Sequence, residues 1–167
     1  SHLISCARLQ ANKGEYRVDS ELLREKFPND CALLWIPNLK QSGACIESQA
    51  AYLRVLAGGN IWIAAELLLN GHDRLKLKRL QKLGKSFDIP VCAAGGVYMH
   101  EAGRRIVQDT LTAIRLNQPL TEIGFAAEPN SQRHLRSIEQ LKKLYPVQLL
   151  DETLNIANRC DFSLDEL

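Results

Sequence analysis

Apolar positions along the chain change period several times, and each change marks an element. Cys31 to Ile36 is a short unbroken apolar run, preceded by the breaker Pro28-Asn29-Asp30. It reads as a buried strand. Ile61 to Leu69 and Ile89 to Ala94 repeat that pattern, the last with Pro90 near its entry. Between them the period becomes helical. Ile46, Ala50 and Leu53 share one face of a segment through Leu56, which Gly58-Gly59-Asn60 closes. Leu77, Leu80, Leu83 and Phe87 share one face of a segment that Asp73 can cap. Strand, helix, strand, helix, strand with short joins implies right-handed crossovers and parallel pairing. Strands apolar on both faces fit a barrel or a doubly wound sheet, and the pattern alone does not choose between them.

The flanks read as helix. His2 to Leu9 carries Leu3, Ile4 and Ala7 and opens without a cap, as if cut from a longer element; Asn12-Lys13-Gly14 ends it. Asp19 or Ser20 can cap a short helix through Lys26. Beyond His100 the chain turns wholly helical. Arg104 to Leu116 has an apolar stripe of Ile106, Val107, Leu111 and Ile114, and Asn117-Gln118-Pro119 stops it. Ser137-Ile138-Glu139-Gln140 is a capping box. That helix ends at Tyr145-Pro146, and a last one runs from Val147 to Cys160. The change after His100 divides the chain into residues 1–100 and 101–167.

Composition narrows the class. The 167 residues suit one domain or a large part of one, and 46% hydrophobic content permits a sizeable core. A net charge of +2 demands no anionic partner, so any nucleic-acid contact must come from a local patch. No apolar run approaches the ~20 residues of a membrane span, and the amino terminus lacks the order of a secretory signal. The five cysteines form no Cys-x-x-Cys pair. Reduced, mostly buried thiols in a cytoplasmic protein are expected.

Pro90 to Leu116 holds the candidate chemistry: a strand, the turn Gly95-Gly96-Val97-Tyr98-Met99-His100, then a helix. Polar groups at the carboxyl end of a strand are where α/β proteins place their sites. The stretch resembles the amino-terminal PHP (polymerase and histidinol phosphatase) domain of bacterial C-family DNA polymerases, in the error-prone α-subunit branch. In that family the turn commonly reads Gly-Asp-Val-His-Met-His. The resemblance continues at Lys13-Gly14-Glu15-Tyr16, Ile61 to Leu67, Gln108 to Arg115, His134-Leu135-Arg136-Ser137, Asp151-Glu152-Thr153 and Cys160 to Leu164. It covers nearly the whole chain, and its specificity lies in the ordered set.

The resemblance implies a PHP-type β/α barrel, of which this chain supplies the later strands, followed by an all-helical segment leading toward the polymerase palm. The palm's catalytic acids would lie beyond Leu167 and the first metal motifs before Ser1. It implies an error-prone polymerase parent that uses Mg, with DNA, a sliding clamp or accessory repair proteins as partners. A barrel cut midway leaves edges uncovered, so this chain is expected to self-associate or to stay bound to the rest of its parent. No cofactor is expected within it.

The turn departs from the family. An aspartate and an imidazole two residues apart can share one metal ion. Gly96 offers no side chain, and the Tyr98 phenol titrates near pH ~10 and seldom ligates. These two are degenerate metal-site positions. His100 is the remaining site-loop imidazole; without visible partners it reads first as a loop histidine bonded to backbone or water. His134 reads as positioning the following helix cap, and His2 and His72 carry little information. Glu66, inside an apolar strand, is either a carboxylate at a barrel mouth or a buried acid paired with an arginine or backbone amides.

Arg104 and Arg105 at a helix start are candidate phosphate contacts, set against an Arg105–Asp109 pair one turn on. Arg74, Lys78, Lys82 and Lys85 lie opposite the leucines of their helix; they suit a phosphate backbone or, more commonly, plain solvent. No phosphate-cradling glycine fingerprint or Ser/His/Asp set is present. Three functions remain. The first is a scaffold segment of the polymerase with a degenerate metal pocket. The others are a metal-dependent phosphoesterase or exonuclease module, and a non-catalytic DNA- or partner-binding module.

Overall fold

The computed structural model describes residues 2–28, 30–163 and 165. Asn29 of the expected Pro28-Asn29-Asp30 break and Leu164 of the terminal motif lie outside them. The elements run α1 (His2–Leu9), α2 (Ser20–Lys26), β1 (Leu33–Trp35), α3 (Gly43–Leu56), β2 (Ile61–Glu66), α4 (Asp73–Phe87), β3 (Val91–Ala94), α5 (Arg105–Leu116), α6 (Ile138–Leu144) and α7 (Val147–Ala157), with short 3₁₀ turns at Ala102–Arg104 and Gly124–Ala126.

The three strands form one parallel sheet in the order β1-β2-β3. Leu33 lies opposite Ile61, and Ile63 opposite Val91. The continuous apolar runs anticipate this pairing. Among the described residues the sheet has three strands, so the structure is mixed α/β with a small parallel sheet. β2 is covered on both faces. Ile61, Ile63 and Ala65 join Ala50 of α3, Leu80 of α4 and Leu149 of α7 in the main core, while Trp62 and Ala64 join Cys92 and Ile156 on the other side. The Trp62 indole N–H donates to Glu152 Oε1 of α7 at 2.8 Å.

All three strands are shorter than expected, each for a local reason. β1 loses Cys31, whose N–H closes a turn onto Pro28, and Ile36, which is exposed. β2 stops at Glu66 because the Leu67 N–H turns to the Tyr145 hydroxyl and Leu69 adopts a positive φ of 51°. β3 starts after Ile89 and Pro90, because the Ile89 N–H closes α4 onto the Gly84 carbonyl.

Caps behave similarly. Asp19 accepts from the Leu22 N–H, and the Ser137/Gln140 capping box is complete. α3 begins three residues before Ile46, because Ser42 accepts from the Cys45 N–H. Asp73 is not the cap of α4; it is the first helical residue, and its carboxylate accepts the Leu69 N–H at 2.7 Å. α7 ends at Ala157, short of Cys160.

One apolar stripe lies outside the core, and one expectation is overturned. The apolar stripe of α5 does not face the core: Ile106, Leu111 and Ile114 are exposed, and Asp109, Thr112 and Ala113 are buried instead. Periodicity locates an apolar face but does not supply the surface that covers it. Nor are the thiols mostly buried. Cys92 is, but Cys31, Cys45 and Cys160 are exposed and Cys6 is half-buried. Burial pushes the Cys92 thiol up to about 11.

Candidate functional site

The carboxyl ends of β2 and β3 lie side by side, with Glu66 opposite Ala94 in the ladder. The Gly95–His100 turn leaves β3 there. A second segment, residues 131–136, runs alongside it. The Arg133 carbonyl accepts from the N–H groups of Tyr98 and Met99, and the Leu135 N–H returns to the Met99 carbonyl. Met99 and His134 thereby form a parallel bridge.

This pairing delivers the Arg133 side chain into the mouth of the sheet. Its Nη1 donates to the Gly96 carbonyl at 3.0 Å and lies 3.6 Å from Glu66 Oε1. Its Nε lies 3.3 Å from Glu128 Oε2. The guanidinium covers the Tyr98 ring at 4.7 Å from its centroid, a cation–π geometry. One cation therefore holds two largely buried carboxylates, a turn carbonyl and an aromatic face. Glu66 is a buried acid paired with an arginine, the second of the two readings its position allowed.

Gly96 makes the arrangement possible. Its φ is +55°, in the left-handed region that glycine adopts most readily. A Cβ built there would collide with Arg133 Nη1 and lie 2.5 Å from Glu66 Oε1. Any side chain at residue 96 competes with the guanidinium for the same space.

Neighbouring carbonyls are satisfied in the same manner. Lys76 Nζ donates to the Glu66 carbonyl at 2.7 Å. Arg136 Nη2 donates to the carbonyls of Leu67 and Gln132. Asn130 Nδ2 donates to the Leu68 carbonyl. The Tyr145 hydroxyl, deeply buried, donates to the Ala94 carbonyl at 2.8 Å and accepts the Leu67 N–H at 3.0 Å. It pins the ends of β2 and β3 together. Burial, the main cause, raises the Tyr145 phenol above its ordinary value.

The remaining sequence candidates lie apart from this cluster. His100 is well exposed, with Nε2 3.7 Å from Glu101 Oε1. Arg104 pairs with Glu101 at 3.4 Å, and Arg105 with the buried Asp109 at 3.3 Å. Asp109 also accepts the Glu128 N–H, which ties α5 to the segment carrying the site. His134 does not touch the α6 cap; its Nδ1 lies 2.7 Å from the Ser131 carbonyl. The backbone bridge at Met99 fixes residue 134 upstream of the cap, and Gln140 fills the role expected of it. Tyr98 joins the cluster through its ring face, not its hydroxyl.

Sequence reading missed Arg133, Glu128 and Tyr145. The one signal for Arg133 was the demand of a buried Glu66 for a cation. Nothing in the local pattern at 128–133 singled out which cation.

The donor set does not fit the metal implied by the family resemblance. Gly96 and Tyr98 supply neither the carboxylate nor the imidazole. A fixed positive charge lies between the two available acids, where it repels a metal cation. Among the described residues no group of three or more His, Cys, Asp or Glu side chains is placed to hold an ion.

Comparison with known proteins shows what the chain is similar to. It is 45% identical over 164 residues to the error-prone DNA polymerase of Methylococcus capsulatus, covering 98% of this chain and 15% of that protein. Identity to the protein of that name from Dechloromonas aromatica is 45% over 171 aligned residues, covering 100% of this chain and 16% of the relative. The Pseudomonas aeruginosa protein is 41% identical over 165 residues, covering 99% and 15%. The chain thus spans about a sixth of the length of the curated relatives it matches. No protein-family model matches it. It matches a short part of error-prone DNA polymerases at moderate identity. No helix among the described residues is long and apolar enough to cross a membrane.

Proposed function

We propose that this chain serves as a scaffold segment of an error-prone DNA polymerase α subunit, corresponding to the later part of a PHP-type β/α barrel. Residues 1–100 supply the barrel strands. Residues 101–167 supply a helical segment toward the palm, through which the parent extends a primer on DNA with Mg. A cytoplasmic location and contacts with a sliding clamp or repair proteins belong to the same reading. Similarity along the whole chain to proteins of that name supports it. The exposed stripe of α5 and the open edges of β1 and β3 suit a piece packed against further polypeptide, and by itself prone to self-association.

The observation that carries the scaffold reading is the Arg133 guanidinium between Glu66 and Glu128, against Gly96. It supplies internally the positive charge that a metal ion would bring to a carboxylate pocket. It is permanent, and it cannot generate a hydroxide nucleophile as a metal-bound water can. The pocket is thereby structural, which disfavours a working phosphoesterase or exonuclease.

Elemental analysis of chain purified without chelator tests this, together with hydrolysis of a 3′-labelled primer in added Mn or Zn. The expected result is metal far below one equivalent and no hydrolysis. One or more equivalents of metal, lost on His100→Ala, would overturn the scaffold reading in favour of the phosphoesterase.

A further inference from the structure

The six cations of α4 (Arg74, Lys76, Lys78, Arg79, Lys82 and Lys85) face one helical acid, Asp73. The chain as a whole is nearly balanced at +2, so this concentration is local. Leu80 and Gly84 fix the buried side of the helix. At 100° per residue, Arg74, Lys78, Lys82 and Lys85 fall together on the opposite side, and all four are exposed.

Ordinary charged helix faces are laced with i,i+4 pairs. This one is not. Among the described residues none of these four has an ion-pair partner, while Lys76 alone is engaged, on the Glu66 carbonyl. A shallow groove of about 430 Å³ runs along Lys78, Gln81, Lys82, Lys85 and Ser86, with no acid in its lining. The flanking acids are Glu47, which lines an adjacent groove beside Arg79 and Lys82, Asp88, which Arg54 holds at 3.2 Å, and Glu152, which shares a groove with Lys85 and accepts from the Trp62 indole.

We propose that this face of α4 is a docking surface for the phosphate backbone of duplex DNA. The inference rests on the reading of the chain as a polymerase segment and adds where DNA touches it. Unpaired cations attract phosphates without selecting sequence. Lys78 to Lys85 spans about 10 Å and Arg74 to Lys85 about 16 Å, at 1.5 Å per residue. That length lets the row of cations reach several backbone phosphates. Binding to single strands relies on aromatic platforms; the face has none, which favours duplex.

The test is fluorescence anisotropy of the full chain with a 24-base-pair labelled duplex across a salt series. Four phosphate contacts give a slope of log K against log salt of about −3.6, and the triple variant Lys78→Gln/Lys82→Gln/Lys85→Gln should reduce it to about −0.9. Lys142→Gln/Lys143→Gln on α6 should leave it unchanged. Circular dichroism verifies that each variant is folded. Absence of duplex binding would overturn the proposal, as would a triple-variant slope equal to wild type. So would binding to a polyglutamate peptide as tight as to duplex and equally lost in the triple variant, because the face would then serve an acidic protein. None of these substitutions touches Arg133, so metal content still reads the scaffold proposal independently.

Discussion

Arg133→Met tests the internal-cation argument most directly. Methionine retains much of the arginine stem but removes the charge, the bond to the Gly96 carbonyl and the stacking on Tyr98. Side-chain exposure is 19% for Arg133, 11% for Glu66 and 19% for Glu128, so the carboxylates are largely screened from water. Removing one member of a fully buried pair costs about 3–5 kcal/mol, mostly from the charge left behind. Losing a hydrogen bond from a charged donor costs about 1.5–3 kcal/mol, and the cation–π contact about 0.5–1 kcal/mol. These costs overlap, and residual water around Glu128 lowers the first, so a net loss of about 3 kcal/mol is expected. For a chain of this size that is a drop of about 6–12 °C in Tm. Urea and thermal unfolding followed by circular dichroism measure it. Glu66→Gln removes one stranded charge, so the double variant should be less destabilised than the sum of the singles, with a coupling of at least about 1 kcal/mol. An Arg133→Met variant within about 0.5 kcal/mol of wild type would refute the reasoning, because that is the behaviour of a solvated surface pair.

Gly96→Ala adds only a methyl, yet it meets Arg133 and Glu66 in a positive-φ backbone; a loss of about 1–3 kcal/mol is expected by the same unfolding measurements. Tyr145→Phe strips the Ala94 carbonyl and the Leu67 N–H of their buried partner, for about 1–3 kcal/mol near neutral pH. Because burial raises the Tyr145 phenol, wild-type stability is whole below its ordinary value of 10.0 and falls as pH rises past it; urea titrations should show the gap to Tyr145→Phe narrowing above that pH. In thiol titration at pH 8, Cys31, Cys45 and Cys160 should react in the folded protein and Cys92 only after unfolding, since burial holds that thiol up at about 11.

Much of the fold was legible because local rules governed it. Ile61 to Ala65 is apolar throughout, and the structure covers it on both faces. Ser137 and Gln140 satisfy each other within one helical turn, so no distant contact could displace them. The misread boundaries lie where a tertiary group takes over a backbone bond, as Tyr145 does at Leu67. The direction of the α5 stripe was illegible for a different reason. The spacing of Ile106, Leu111 and Ile114 shows that they share a face, but not which way that face turns.

The site was half legible, and its missing half changes how its first half is understood. Gly96 and Tyr98 read from the sequence as two separate losses from a metal loop. In the structure they are the room and the aromatic face that the Arg133 guanidinium uses. A Cβ at 96 meets the flexible end of the Arg133 side chain, so a carboxylate there would push the guanidinium aside and then pair with it. Restoring the family pattern with Gly96→Asp and Tyr98→His alone should therefore not restore metal binding. The arginine would shift but still neutralise the acids, and the new side chain would strain a left-handed turn. Only removal of Arg133 as well would leave Glu66, Glu128 and the two restored groups with an unmet need for positive charge. Zinc titration of the double variant and of the triple variant that adds Arg133→Ser separates the cases. Binding by the double variant as tight as by the triple would show that the guanidinium does not exclude a metal.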